Sequence, residues 1–82
     1  MITVYTKPEC PYSRALLRKL KHDKKDFHVI NVLANQAAYE EMLKLNGGIS
    51  ATPTWIESGN VFVGFHGACP IEDEDLPWLA HG

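Results

Sequence analysis

The chain lacks most of what would point away from a small globular domain. No apolar run approaches the ~20 residues that a bilayer crossing needs, so no membrane span is expected. Only two cysteines are present, Cys10 and Cys69. That is too few for the disulfide framework of a small secreted scaffold, and it fits a reducing compartment. Neither sign of charge dominates. The formal net charge of −2 at pH 7 excludes the polycationic surface of a nucleic-acid-binding domain. The cluster Lys19, Lys21, Lys24 and Lys25 reads as a solvated helix end that complements the helix dipole. No basic-apolar leader precedes the strand-like run that begins at Ile2, and a cytoplasmic location is the expectation. With 82 residues and no repeat, low-complexity tract or linker, residues 1–82 are read as one domain, too small for a large substrate cavity.

What is present alternates in character along the chain. Ile2 to Tyr5 is a short β-rich run, and Lys7-Pro8-Glu9 breaks it. Pro11, tolerated in a first turn, opens a helical stretch to about Lys24, with Tyr12, Leu16 and Leu20 recurring every four residues. Phe27 to Leu33 is nearly continuous apolar sequence, which predicts a strand covered on both faces. Strand, helix and strand at this spacing predict a βαβ unit with parallel strands. Asn35 as N-cap, then Ala38, Met42 and Leu45 at helical spacing, and the terminator Gly47-Gly48 predict a second helix. Thr54 to Glu57 and Val61 to Val63, flanking Ser58-Gly59-Asn60, predict a hairpin. From Pro70 to Ala80 the acidic run Glu72 to Asp75 suits the start of a last helix, which Pro77 would keep short or broken. The predicted order is βαβ followed by ββα.

Chemistry concentrates at Cys10-Pro11-Tyr12-Ser13. Cys10 stands where the first strand hands over to the first helix, so its sulfur faces unpaired N–H groups. Such positions lower a thiol pKa from ~8.5 into the range of roughly 3.5–7.5 and favour the thiolate that attacks disulfides. Lys7 adds positive charge on the same loop. The Ser13 hydroxyl, one turn on, is expected to donate a hydrogen bond to the sulfur. Glu9, Pro11, Tyr12 and Ser13 frame it in what reads as an exposed connection, unlike the apolar surroundings of a structural cysteine.

Val4-Tyr5-Thr6-Lys7-Pro8-Glu9-Cys10-Pro11-Tyr12-Ser13, with Leu16, Leu17 and Leu20 behind it, closely resembles the N-terminal half of glutaredoxins, whose dithiol motif is Cys-Pro-Tyr-Cys. Ala51-Thr52-Pro53-Thr54-Trp55 resembles the cis-proline loop that faces the nucleophile throughout the thioredoxin superfamily. The resemblance implies a glutaredoxin-like thioredoxin fold of the α/β class: a four-stranded mixed sheet with helices on both faces. It implies a glutathione-dependent thiol–disulfide oxidoreductase in which Cys10, with Pro11 and Tyr12, acts on protein–glutathione mixed disulfides or protein disulfides. Glutathione would be a co-substrate rather than a tightly bound cofactor. It would be held by Lys7, Tyr12, Thr52, Pro53 and Gly64, its cysteine paired to the Thr52 backbone. The C-terminal half departs from the family. Val63-Gly64-Phe65-His66-Gly67-Ala68-Cys69-Pro70 replaces the usual Gly-Gly and acidic residues, and Pro53-Thr54-Trp55 is more similar to thioredoxins and protein disulfide isomerases.

Ser13 takes the place of the resolving cysteine, as in one-cysteine glutaredoxins that a second glutathione resolves; an engineered Cys replacement would read the same. Cys69 is most simply a small, half-buried residue without redox function, the alternative being a resolving thiol for Cys10. His66 and Cys69 alone do not make a metal site. His22, His28 and His81 read as surface residues, and Trp55 and Trp78 as packing. Two rival functions remain open: an electron donor reduced by a thioredoxin-reductase-type enzyme, and an iron–sulfur cluster-binding monothiol glutaredoxin. The expected partners are glutathione and disulfide-bearing or glutathione-modified proteins. No nucleic acid, membrane or metal partner is expected, and the chain should be a monomer.

Overall fold

A computed structural model describes residues 1–79; the expectations for Ala80 and His81 lie outside the described residues. The strands β1 (Ile2–Thr6), β2 (Phe27–Asn31), β4 (Thr54–Glu57) and β5 (Asn60–Val63) form a four-stranded sheet in the order β2-β1-β4-β5. β1 runs parallel to β2 and antiparallel to β4, and β4 and β5 are antiparallel. The sheet is therefore mixed, as predicted. A second, two-stranded ladder pairs β3 (Ala51–Thr52) with β6 (Cys69–Pro70). The sequence reading did not anticipate it.

Alternation along β1 distributes the core between the two faces of the sheet. Ile2 and Val4 pack with Leu16 and Leu20 of α1 (Pro11–His22). Tyr5 points the other way and packs with Val32, with Ala38 and Met42 of α2 (Gln36–Asn46), and with Ile71 and Leu76. The helices consequently lie on opposite faces. Burial first, and the Glu41 carboxylate second, push the Tyr5 phenol up to about 12.

Local sequence accounts for the element ends. The Asn35 side chain accepts a hydrogen bond from Ala38 N at 3.1 Å, and Gly47 ends α2 in the left-handed conformation at φ 80°. Ser58 and Gly59 both take positive φ, 52° and 79°, which matches the twist of the β4–β5 hairpin.

Four expectations are corrected. α1 stops at His22, two residues early, where Asp23 and then Lys24 at φ 57° leave the helical conformation. β2 is not covered on both faces. As the sheet's edge it has β1 as its strand neighbour, and Val29 is 42% exposed. Leu45, expected on the buried face of α2, is exposed, while Tyr39 and Leu43 pack against the core instead. The last helix is a single 3-10 turn, Asp73–Asp75, stabilised by a reciprocal bond pair between Glu72 and Asp75. Pro77 follows too closely for that turn to extend. Among the described residues no helix is long and apolar enough to cross a membrane.

Candidate active site

Cys10 is the N-cap residue of α1. Its carbonyl accepts the Arg14 N–H at 3.1 Å, and Pro11 occupies the first helical position, where a missing N–H costs nothing. The sulfur therefore sits at the positive end of the helix dipole, in the place read from the sequence. The residue is 1% exposed. Across from it runs the Ala51-Thr52-Pro53 segment, with the Thr52–Pro53 peptide bond cis and both residues buried. Cys10 Sγ lies 3.7 Å from the Thr52 carbonyl oxygen, an approach that lets a Cys10 thiol donate a weak hydrogen bond there.

The principal correction concerns Cys69. It is disulfide-bonded to Cys10, with the two Cα atoms 6.0 Å apart, and is therefore not a bystander in the loop after β5. Its position follows from the short ladder. β6 runs antiparallel to β3 with Cys69 opposite Thr52 and Pro70 opposite Ala51. Ile71 N donates to Ser50 O at 2.9 Å, and the Ser50 hydroxyl donates to Ile71 O at 3.1 Å, which continues the attachment. The Thr52 backbone, read from the sequence as free for a ligand's cysteine, is thus paired with the chain's own Cys69. Gly67 lets the loop pass the Tyr12 ring: a Cβ there would lie 2.5 Å from Tyr12 Cε1, and the backbone has φ 147°.

Ser13 is buried at 2% exposure, and its hydroxyl has no hydrogen-bond partner; neither does the Thr52 hydroxyl. The bond expected from Ser13 to the Cys10 sulfur is not made in this disulfide form, because a disulfide sulfur lacks the charge that makes a thiolate a good acceptor. Lys7 donates to the Pro70 carbonyl at 2.8 Å and lies 3.7 Å from an Asp75 carboxylate oxygen. Its ammonium is engaged by the chain itself.

Beside the disulfide opens a cleft of about 700 Å³. Of the residues singled out in the sequence, Lys7, Tyr12 and Cys69 line it. Cys10, Thr52 and Pro53 lie beneath, joined to it through the Cys69 bond and the β3–β6 ladder. Gly64 is not among the lining residues. At φ 90° it turns the chain out of β5, its N–H donating to Pro53 O at 2.7 Å. Sequence reasoning missed Glu9, Glu72 and Asp75, which also line the cleft. In the sequence the acidic run has the pattern of a helix start that complements the dipole. Its delivery to the cleft depends on the turn of the chain after β6.

Fold and site together define a redox protein of the thioredoxin fold, with two cysteines paired across the start of α1. The chain belongs to the glutaredoxin family, whose model matches residues 2–62. It is 35% identical over 68 residues to an uncharacterized glutaredoxin-like 8.6 kDa protein in the rubredoxin operon of Clostridium pasteurianum, covering 83% of this chain and 89% of that one. Among solved structures it is similar to the thioredoxin-like protein BC3987, at 32% identity and a TM-score of 0.72 over 79% of this chain and 88% of that one. It is similar also to the glutaredoxin-like NrdH-redoxin from Escherichia coli, at 30% identity and a TM-score of 0.71 over 78% and 82%. The structure report of that protein ascribes to it a thioredoxin-like activity profile.

Proposed function

We propose that the chain reduces protein disulfides with Cys10 as nucleophile and Cys69 as resolving thiol. The single observation that carries this reading is the Cys10–Cys69 bond, formed where β6 pairs with the Thr52 backbone. In the reduced protein the Cys10 thiolate attacks one sulfur of a substrate disulfide. The substrate S–S bond breaks, a Cys10–substrate bond forms, and the first substrate thiolate leaves and takes a proton from water. Cys69, deprotonated, then attacks Cys10 Sγ. The second substrate thiol is released, and the Cys10–Cys69 bond seen here is the product. Two electrons pass from the two protein thiols to the substrate disulfide. Ser13 cannot supply the second thiol, and Cys69 supplies it from the other end of the domain.

The oxidised protein must be reduced in turn by a dithiol enzyme of the thioredoxin-reductase class or by two molecules of glutathione. The first is favoured by β6, which fills the strand edge at Thr52 where a glutathione cysteine would pair, and by the likeness to a protein with a thioredoxin-like activity profile. The second is favoured by Lys7 and Tyr12, which line the cleft at positions matching glutathione contacts in the family.

Insulin reduction coupled to NADPH, with thioredoxin reductase in one arm and glutathione with glutathione reductase in the other, separates the two. Turnover is expected mainly in the first arm. Cys69→Ser should lose turnover and accumulate a mixed disulfide at Cys10, visible by mass spectrometry. A Cys69→Ser protein as active as the wild type would refute the assignment of the resolving thiol.

A further inference from the structure

We infer that the cleft over the Cys10–Cys69 bond selects disulfides flanked by basic residues and disfavours anionic partners, glutathione among them. This rests on the reading just given and names its substrate class. The cleft is lined by three carboxylate side chains, Glu9, Glu72 and Asp75, against one ammonium, Lys7. That ammonium is already engaged by the Pro70 carbonyl at 2.8 Å and the Asp75 carboxylate at 3.7 Å. An incoming ligand therefore meets an uncompensated negative field. The remaining lining residues, Pro8, Tyr12, Leu33, Ala68, Cys69 and Pro70, carry no formal charge and cannot offset it.

Two of the three carboxylates, those of Glu72 and Asp75, are held in place by the turn they belong to. The Glu72 backbone N–H donates to Asp75 Oδ2 at 3.0 Å, and the Glu72 side chain in turn accepts from the Asp75 backbone. Glu9 precedes Cys10 directly and sits at φ 65°, on the bend that delivers Cys10 to the start of α1. All three side chains line the cleft itself, so a segment bound there lies near them on the scale of the Debye length, about 8–10 Å at physiological ionic strength, and added salt weakens their field. Fields of this kind change association rates by roughly tenfold to a thousandfold at low salt. The lower end suits a site with two uncompensated carboxylates.

The occupant is an extended cysteine-bearing segment of a disulfide protein. The chain's own β6 already holds the Thr52 edge, so the incoming segment lies over the cleft beside Cys69, whose preceding residue, Ala68, is small and uncharged. β6 contributes no charged side chain of its own, which leaves the three carboxylates for the flanks of an incoming partner.

The test uses the reduced wild-type protein and three probes. Two are thiopyridyl mixed disulfides of cysteine pentapeptides, one carrying two lysines and the other two glutamates. The third is hydroxyethyl disulfide, which is neutral. At an ionic strength of about 20 mM the lysine peptide should react with Cys10 about tenfold faster than the glutamate peptide. At about 500 mM the two should agree within about twofold, because the Debye length then falls to roughly 4 Å. The double variant Glu9→Gln, Glu72→Gln keeps side-chain size and the turn's acceptor, and should bring the low-salt ratio to about twofold to threefold. Equal rates for the two peptides at low salt, with hydroxyethyl disulfide still reduced at Cys10, would overturn the charge selection and leave the proposed function standing. Failure to reduce hydroxyethyl disulfide would overturn the proposed function and this inference with it.

Discussion

Breaking the Cys10–Cys69 bond by Cys69→Ser should lower stability through the unfolded chain more than through lost contacts. The two residues are separated by 59 positions, and in the chain-entropy description a loop of that size constrains the unfolded state by about 4 kcal/mol at 25 °C. A domain of 82 residues has a total stability of roughly 4–12 kcal/mol. The bond is therefore a large share of the whole. In melting temperature the change corresponds to roughly 15–30 °C for a chain of this size. The assay is thermal unfolding followed by far-ultraviolet circular dichroism on four samples: oxidised wild type, wild type in excess reductant, Cys69→Ser and Cys10→Ser. The last three should melt close together and well below the first, because each lacks the same cross-link. Thiol titration confirms the state of each sample before heating. If oxidised and reduced wild type melted within about 3 °C of each other while titration showed no free thiol in the first, the cross-link would not be constraining the unfolded chain, and the reasoning would fail.

Met42 is completely buried against Tyr5, Val32 and Ala38, so Met42→Ala should cost about 2–5 kcal/mol in urea unfolding. Gly67→Ala places a Cβ 2.5 Å from Tyr12 Cε1 on a backbone with φ 147°; it should lower the melting temperature of the oxidised form and slow formation of the Cys10–Cys69 bond, measured by thiol titration after dilution of reductant. Burial pushes the Tyr5 phenol up to about 12 from its ordinary value of 10.0. The folded state therefore holds that proton more tightly: the associated stability is full below pH 10.0 and is lost as pH rises towards about 12. Unfolding free energy measured across that window should fall less steeply in Tyr5→Phe than in the wild type.

Much of this protein is determined by sequence alone, and the reason is locality. Pro11 behind Cys10, the Leu16–Leu20 repeat, the Asn35 cap, Gly47 and the Ser58-Gly59 turn each act within a few residues, so both helices, the hairpin and the place of Cys10 at a helix start were legible. The pattern of strand, helix and strand was enough for the parallel β1–β2 pair. Other features required the folded chain. Whether β2 was central or at the edge depended on where β4 paired, a choice made by β1 and not by Phe27–Asn31. That Cys69 meets Cys10 depends on the turn at Gly64, the passage of Gly67 over Tyr12 and the ladder to Thr52. These are contacts between segments far apart in sequence, and no spacing rule encodes them. The same return of the chain turns the acidic run at Glu72–Asp75 from an apparent helix start into a wall of the cleft. It also binds Lys7, which the sequence presents as a free cation, to Asp75 and the Pro70 carbonyl. The place of Cys10 at a helix start was thus a property of local sequence, while its partner and the charge around it were decided by tertiary structure, because pairing and fields act through space rather than along the chain.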